Sequence, residues 1–279
     1  MTAQSDGEYS VQNAMFVLGA SDPEMRAIEK LLADVHAPCV YATVDGKRVY
    51  PANAYAAAAP AEASAALAAG GKAWLVECVG HAPPGVARID HHHAGDPGYG
   101  RPPAEFWTAS SLGQTVAALT DALGCKVSVT EEMRLTAAAD HCLGAAYAGA
   151  CPGVDPDALM RWHVAARAVF ERRAEDAVIA DVEAARRALR EAPRLQLAPG
   201  VTAADMRGRP VAELLMAAAR EGQCCVSAVK TRDGRTKIGC LVGDATQITA
   251  FMHDWAPAQH LVGLYGDSER GFAGAYLPQ

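Results

Sequence analysis

The chain has eight cysteines, Cys39, Cys78, Cys125, Cys142, Cys151, Cys224, Cys225 and Cys240, but no CxxC pair and no zinc-ribbon spacing. That excludes a structural zinc ribbon. Scattered cysteines in a chain of this size fit reduced thiols and a cytoplasmic protein. Positive charge is also scarce: 25 Lys and Arg face 32 Asp and Glu, a net charge of -7. Without a local basic patch, such a chain does not bind long duplex nucleic acid. Small anionic ligands remain compatible if a metal supplies the positive charge. Long apolar runs are missing too. The alanine-rich segment 54–71 is interrupted by Pro60, so it reads as a helix and a turn, and no membrane partner is expected. The opening MTAQSDGEYSVQ is polar and does not read as a signal peptide. No internal repeat is apparent.

What is present is an apolar fraction of 51% over 279 residues, enough for one large or two ordinary domains. The most informative segment is VARIDHHHAGDPGYG, residues 86–100. A short apolar run ends in Asp90, His91, His92 and His93, then breaks into a Gly/Pro loop. This places an acid and several imidazoles at the C-terminal edge of an expected strand, where open α/β sheets bind ligands. Carboxylate and imidazole together suit a divalent transition metal.

The first half alternates between strand and helix patterns. Strands are expected at 13–19, 37–44, 73–80 and up to Asp90. Helices are expected at 21–36, in the alanine-rich segment, at 110–124 and at 131–150. This predicts an α/β fold, a mostly parallel sheet with helices on both faces. Residues 1–150 form the expected metal-binding domain. Residues 151–198 read as a charged helical connector. Residues 199–279 read as a smaller α+β domain, with a hairpin signalled at Asp233-Gly234.

Each acid of the first half has a plain structural reading beside a chemical one. Ser21-Asp22-Pro23-Glu24 makes a good helix start, with Ser21 as N-cap, Pro23 in the first turn and Glu24 closing a capping box. Glu77 in WLVECVG reads equally well as a strand-edge charge. Asp140 within LTAAADHCLGAAYAG is harder to dismiss, because a carboxylate among apolar residues needs a partner.

Taken in order, an acid pair after strand one, an acid in an LVxC-type strand, then IDHH, then an acid in a small-residue helix, the first half resembles the DHH phosphoesterase superfamily. The resemblance covers residues 13–150. It implies that Asp22, Glu24, Glu77, His91 and Asp140 are metal ligands, that Asp90 orients the metal-binding histidine, and that His92 contacts the scissile phosphate. It also implies a C-terminal substrate-binding domain, in which Arg270 would pair with phosphate and Gly271 and Gly274 would let backbone approach the ligand. The implied cofactor is manganese, as one or two ions, with magnesium as the alternative.

The implied activity is metal-dependent hydrolysis of a phosphodiester or phosphoanhydride bond in a small nucleotide or short oligonucleotide. The chain also departs from the pattern. Gly19 stands near the position of a family histidine, and glutamates replace aspartates at 24 and 77. His81 and His141 are alternative sources of the missing imidazole, and His93 reads as a solvated extra. These departures leave open a DHH-like protein that binds nucleotide or a partner without hydrolysis. They also leave open another α/β enzyme with a coincidental DHHH run, and a homodimer as well as a monomer.

Overall fold

The structure is a computed structural model that describes residues 11–231 and 233–278; most of the polar N-terminal stretch lies outside the described residues. The chain divides into two compact units, Met1–Tyr99 with Trp107–Ala137, and Gly100–Phe106 with Ala138–Gln279.

The first unit is built on β1 (Ala14–Leu18), α1 (Pro23–Asp34), β2 (Cys39–Tyr41), the short pair β3 (Thr43–Val44) and β4 (Lys47–Arg48), α2 (Ala61–Ala68), β5 (Lys72–Val76) and β6 (Ala87–Ile89). The short α3 (Phe106–Ala109) leads into α4 (Ser111–Ala117), and α5 (Glu131–Tyr147) runs on into the second unit. β2, β1, β5 and β6 lie in that order, all parallel. Alternation of side chains along the strands loads both faces. Phe16, Leu18, Trp74, Val76 and Ile89 pack beneath Met25, Ile28 and Leu32 of α1 and Leu112 and Val116 of α4. Val17, Ala73 and Leu75 pack on the opposite side with Ala63 of α2. The expected parallel α/β layer is therefore present. The order reverses between β1 and β5, and the C-terminal ends of strands at such a reversal are where open α/β sheets bind ligands.

Two local expectations are corrected. The cap of α1 is Asp22, not Ser21: its Oδ1 accepts from Met25 N at 2.7 Å, and Pro23 takes the first helical position. The third strand stops at Val76, and Glu77 leaves it with φ of 51°.

In the second unit, α6 (Pro156–Glu171) and α7 (Glu175–Arg190) are the charged helices read from the sequence. They are followed by β7 (Arg194–Ala198), β8 (Val201–Asp205), α8 (Leu214–Glu221), β9 (Cys225–Lys230), β10 (Thr236–Leu241) and α9 (Ala245–Ala250). A wider π turn over Phe251–Trp255 leads into α10 (Ala256–Ala258), then β11 (Val262–Asp267) and β12 (Phe272–Tyr276). The sheet order is β11-β12-β10-β9-β8-β7, antiparallel except for the β8–β9 pair, which α8 connects. Residues 194–198, read from the sequence as the end of a helical connector, form β7. Pro199-Gly200 turns it into β8, with Gly200 at φ of 76°.

Candidate metal centre

The loops after β1, β5 and β6 each deliver one side chain of a buried group in the first unit. Glu24 comes from the first turn of α1 and is 1% exposed. It does not close a capping box. Its Oε1 instead accepts from Leu112 N at 3.1 Å, at the N-terminus of α4, where the helix presents unsatisfied N–H groups and favours a negative charge. Glu77 follows β5 and is 6% exposed. His91 follows β6 by two residues and is fully buried. His91 Nε2 stands 3.4 Å from Glu77 Oε1 and 3.9 Å from Glu24 Oε2.

One donor atom from each of these three residues lies within 4.8 Å of the others. Two ligands of one divalent ion, each about 2.0–2.6 Å from it, stand about 3–4.5 Å apart. Glu77 Oε1 is buried and accepts no hydrogen bond, which is costly for a carboxylate oxygen unless a cation meets it. Two buried carboxylates facing one imidazole also repel each other without a positive charge between them. The buried glutamate–histidine group can hold a metal ion. His92 can join from the rim, since Glu77, His91 and His92 also lie within 4.8 Å of one another.

Asp90 organises the loop. Its Oδ1 accepts from the backbone N–H groups of His91 and His92 at 2.8 and 3.1 Å and lies 3.0 Å from His92 Nδ1. The carboxylate therefore holds the ring of His92 and, for His91, the backbone. Burial pushes the Asp90 carboxyl up, but the hydrogen bond and charge of the His92 ring, the His92 N–H and the charge of His91 outweigh it and hold the carboxyl well below the usual range. Sequence reasoning missed the residues that complete this shell. Tyr55 donates its hydroxyl to Asp90 at 3.0 Å. Gln114 accepts from Asp90 N at 3.2 Å and donates to Asp90 O at 3.0 Å, so its amide pairs with β6 as another strand would.

Two arginines brace the backbone beneath the ligands. Arg88 donates to the carbonyls of Val79 and Gly80 at 2.8 and 3.1 Å and stands 3.5 Å from Asp90 Oδ2. Arg48 donates to the carbonyl of Gly19 at 3.1 Å through both Nε and Nη2. Arg88 carried a signal, because it shares strand parity with Asp90. Tyr55 and Gln114 carried none, being distant in sequence and unremarkable in context.

Gly19 is a place of close approach. A Cβ there would lie 2.3 Å from the carbonyl oxygen of Glu77 and 3.0 Å from that of Val76. No imidazole can be mounted at this position without parting β1 from β5, so Gly19 does not mark a vacant ligand position. Asp22 serves the α1 cap and is not in the close-set group. His93 sits at the exposed rim, its ring 4.4 Å from that of Tyr55. His81 is exposed.

The remaining sequence candidates belong to the second unit. Asp140 lies on α5, two residues before a break at Cys142, where φ is -155° and ψ 62°. Arg270 donates to the carbonyls of Asp140 and His141 at 3.0 and 3.1 Å and stands 3.5 Å from Asp140 Oδ2. It thus braces backbone carbonyls beside a helix break, a role the sequence did not suggest. His141 is buried, with Nε2 3.1 Å from the carbonyl of Arg101. Gly271 forms the turn before β12 at φ of 67°. Gly274 faces the ring of Tyr265, which fills the space above it.

Compared with protein-family models, curated proteins and solved structures, the chain matches none of them. The likeness to DHH phosphoesterases therefore rests on its motifs alone. No helix among the described residues is long and apolar enough to cross a membrane.

Proposed function

We propose that this protein is a metal-dependent phosphoesterase acting on a small nucleotide or short oligonucleotide. The observation that carries the reading is the convergence of Glu24, Glu77 and His91 from three separate strand ends onto one buried position. Mixed carboxylate and imidazole ligands favour manganese over magnesium. Bound there, the metal would lower the pKa of a water and screen phosphoryl charge. Glu24 and Glu77 would neutralise a bound cation, and His91 would supply a nitrogen ligand. His92, 34% exposed at the rim with Nδ1 on Asp90, is the side chain of this loop placed to meet a phosphate oxygen. The DHH resemblance adds Asp140 as a further ligand and a substrate-binding role for the C-terminal domain.

With Asp22 committed to a helix cap and no room for an imidazole at Gly19, one metal ion is favoured over two. The same two observations motivate a second reading, a protein that binds nucleotide or a partner without hydrolysing it.

Metal analysis after manganese loading, beside hydrolysis of a panel of dinucleotides, tests both. His91→Ala is expected to lose bound metal. Asp140→Asn is expected to cut turnover by about 10²-fold, the upper end for perturbed metal-site residues. Wild-type protein that binds no manganese overturns the metal centre. Wild-type protein that binds manganese and nucleotide but turns over no phosphoester establishes the binding reading instead.

A further inference from the structure

Two pairs of cysteine sulfurs meet inside the second unit. Cys142 Sγ and Cys151 Sγ lie 3.3 Å apart, and Cys224 Sγ and Cys240 Sγ lie 3.5 Å apart. All four are free, buried thiols. A disulfide needs its sulfurs about 2.05 Å apart with a dihedral angle near 90°, so either pair must close by about 1.3–1.5 Å and turn its side chains to suit.

The two pairs differ in how far the backbone can yield. Cys240 sits in β10, paired with Val226 of β9 on one side and Ala273 of β12 on the other. Cys224 leads into β9, and its carbonyl accepts from Ala204 N at 2.9 Å. Closing this pair would work against a sheet ladder on both sides. Cys142, by contrast, is the residue at which α5 breaks, so helical geometry is already interrupted there. Arg270 holds the carbonyls of Asp140 and His141 just before it. Cys151 opens a turn in which Val154 N donates to its carbonyl at 3.1 Å, directly before Asp155 caps α6. Access differs as well. Cys151 is itself buried, but Ala150 before it and Pro152 and Gly153 after it are exposed, so its sulfur lies beneath a thin cover. Cys224 is followed by the buried Cys225 and Val226, and Cys240 is preceded by the buried Ile238 and Gly239.

We propose that Cys142 and Cys151 form a redox-active dithiol, oxidised to an intramolecular disulfide by hydrogen peroxide. The hydrogen bond with Cys142 lowers the pKa of the Cys151 thiol, against the opposing effect of burial, and makes Cys151 the first nucleophile. Its thiolate attacks one peroxide oxygen. The S–O bond forms, the O–O bond breaks, and the departing hydroxide takes up the proton that Cys151 released, leaving a sulfenic acid and water. The Cys142 sulfur then attacks the Cys151 sulfur. The S–S bond forms, the S–O bond breaks, and hydroxide leaves with the Cys142 proton as a second water. The two thiols thus give up two electrons and two protons, and one peroxide becomes two waters. The link ties the break in α5 to the turn before α6, and a dithiol reductant reverses it by thiol–disulfide exchange. No metal takes part, so the inference stands apart from the phosphoesterase reading.

The test is peroxide treatment of the folded, freshly reduced full chain, followed by alkylation of the remaining thiols in denaturant and peptide mapping by mass spectrometry. The expected product is a peptide pair linked through Cys142 and Cys151, lighter by two hydrogens and released by dithiothreitol. Cys142 and Cys151 are expected to lose their thiols at least about tenfold faster than Cys224 and Cys240. Amide hydrogen exchange over residues 142–154 is expected to slow by about threefold or more in the oxidised protein, because the link removes local openings. Cys151→Ser is expected to show no such slowing after peroxide. Cys151→Ala repeats the measurement where circular dichroism finds the serine variant unfolded. The proposal is overturned if folded wild type forms no Cys142–Cys151 link, or if Cys224 and Cys240 react as fast. It is also overturned if the link forms and amide exchange over 142–154 is unchanged, or if peroxide slows that exchange equally in a folded Cys151 variant.

Discussion

Gly19→Ala tests the packing that brings the ligand loops together. The added methyl carbon would fall 2.3 Å from the Glu77 carbonyl oxygen, 3.0 Å from the Glu77 carbonyl carbon and 3.0 Å from the Val76 oxygen. All three are backbone atoms, so no side chain can swing aside. β1 and β5 must separate, straining the bond from Gly19 N to Val76 O, now 3.0 Å, and displacing Glu77. Overpacking of this kind costs about 1–3 kcal/mol. In a unit of about 130 residues, each kcal/mol lowers the midpoint by about 3–6 °C, an expected fall of about 3–18 °C. Differential scanning calorimetry of the variant measures it. Gly208→Ala is the control, because a Cβ there meets nothing within 4 Å and is expected to change stability by less than about 0.5 kcal/mol. A Gly19→Ala protein as stable as the control would refute the close approach, and with it the reason this position cannot carry a ligand.

Two further outcomes follow from the hydrogen bonds. Tyr55→Phe removes the hydroxyl that donates to both oxygens of the buried Asp90. An expected loss of about 1.5–3 kcal/mol in urea unfolding, with manganese affinity reduced about tenfold or more, follows from a charged hydrogen bond that supports a ligand loop; unchanged affinity would mean that Asp90 does not need this donor. Glu221, clamped by Arg190 and Arg186 at 2.8 and 2.5 Å, ties α8 to α7. The hydrogen bond from Arg190, with help from Arg186, lowers its carboxyl from 4.5 to about 2. A depressed carboxylate stabilises the fold above its unfolded value and ceases to do so as pH falls through its folded one. Glu221→Gln is therefore expected to cost about 0.5–1 kcal/mol at pH 7, after solvent screening, and to approach wild type between pH 4.5 and 2. A urea-midpoint difference that stays constant over that range would count against the clamp.

Much of the first unit was legible in the sequence. Strand and helix periods differ, and the apolar runs at 13–19 and 73–80 alternate with amphipathic segments, so the parallel layer and the strand-end position of Asp90 and His91 follow from local pattern. Glu24 and Glu77 could be named as metal candidates, but nothing local distinguished them from a capping residue and a strand-edge charge. Their burial beside His91 sets them apart from those plain roles as a group that could hold a metal, and that burial depends on α4 arriving with Leu112 N and on β6 pairing beside β5.

The sequence by itself determined what depends on neighbours a few residues apart: the element types, the helix start near Asp22 and Pro23, and the DHHH segment after an apolar strand. The shortened third strand, the strand β7 and the supporting roles of Arg48, Tyr55 and Gln114 were decided by tertiary structure. So was the closure of Gly19 to any side chain, because the atoms that close it belong to a strand more than fifty residues later in the chain. Arg270 shows the same limit. Its sequence context reads as a phosphate contact, and only the break in α5 reveals carbonyls that need its hydrogen bonds. Such contacts are set by packing between distant segments, and no local pattern of residues encodes them.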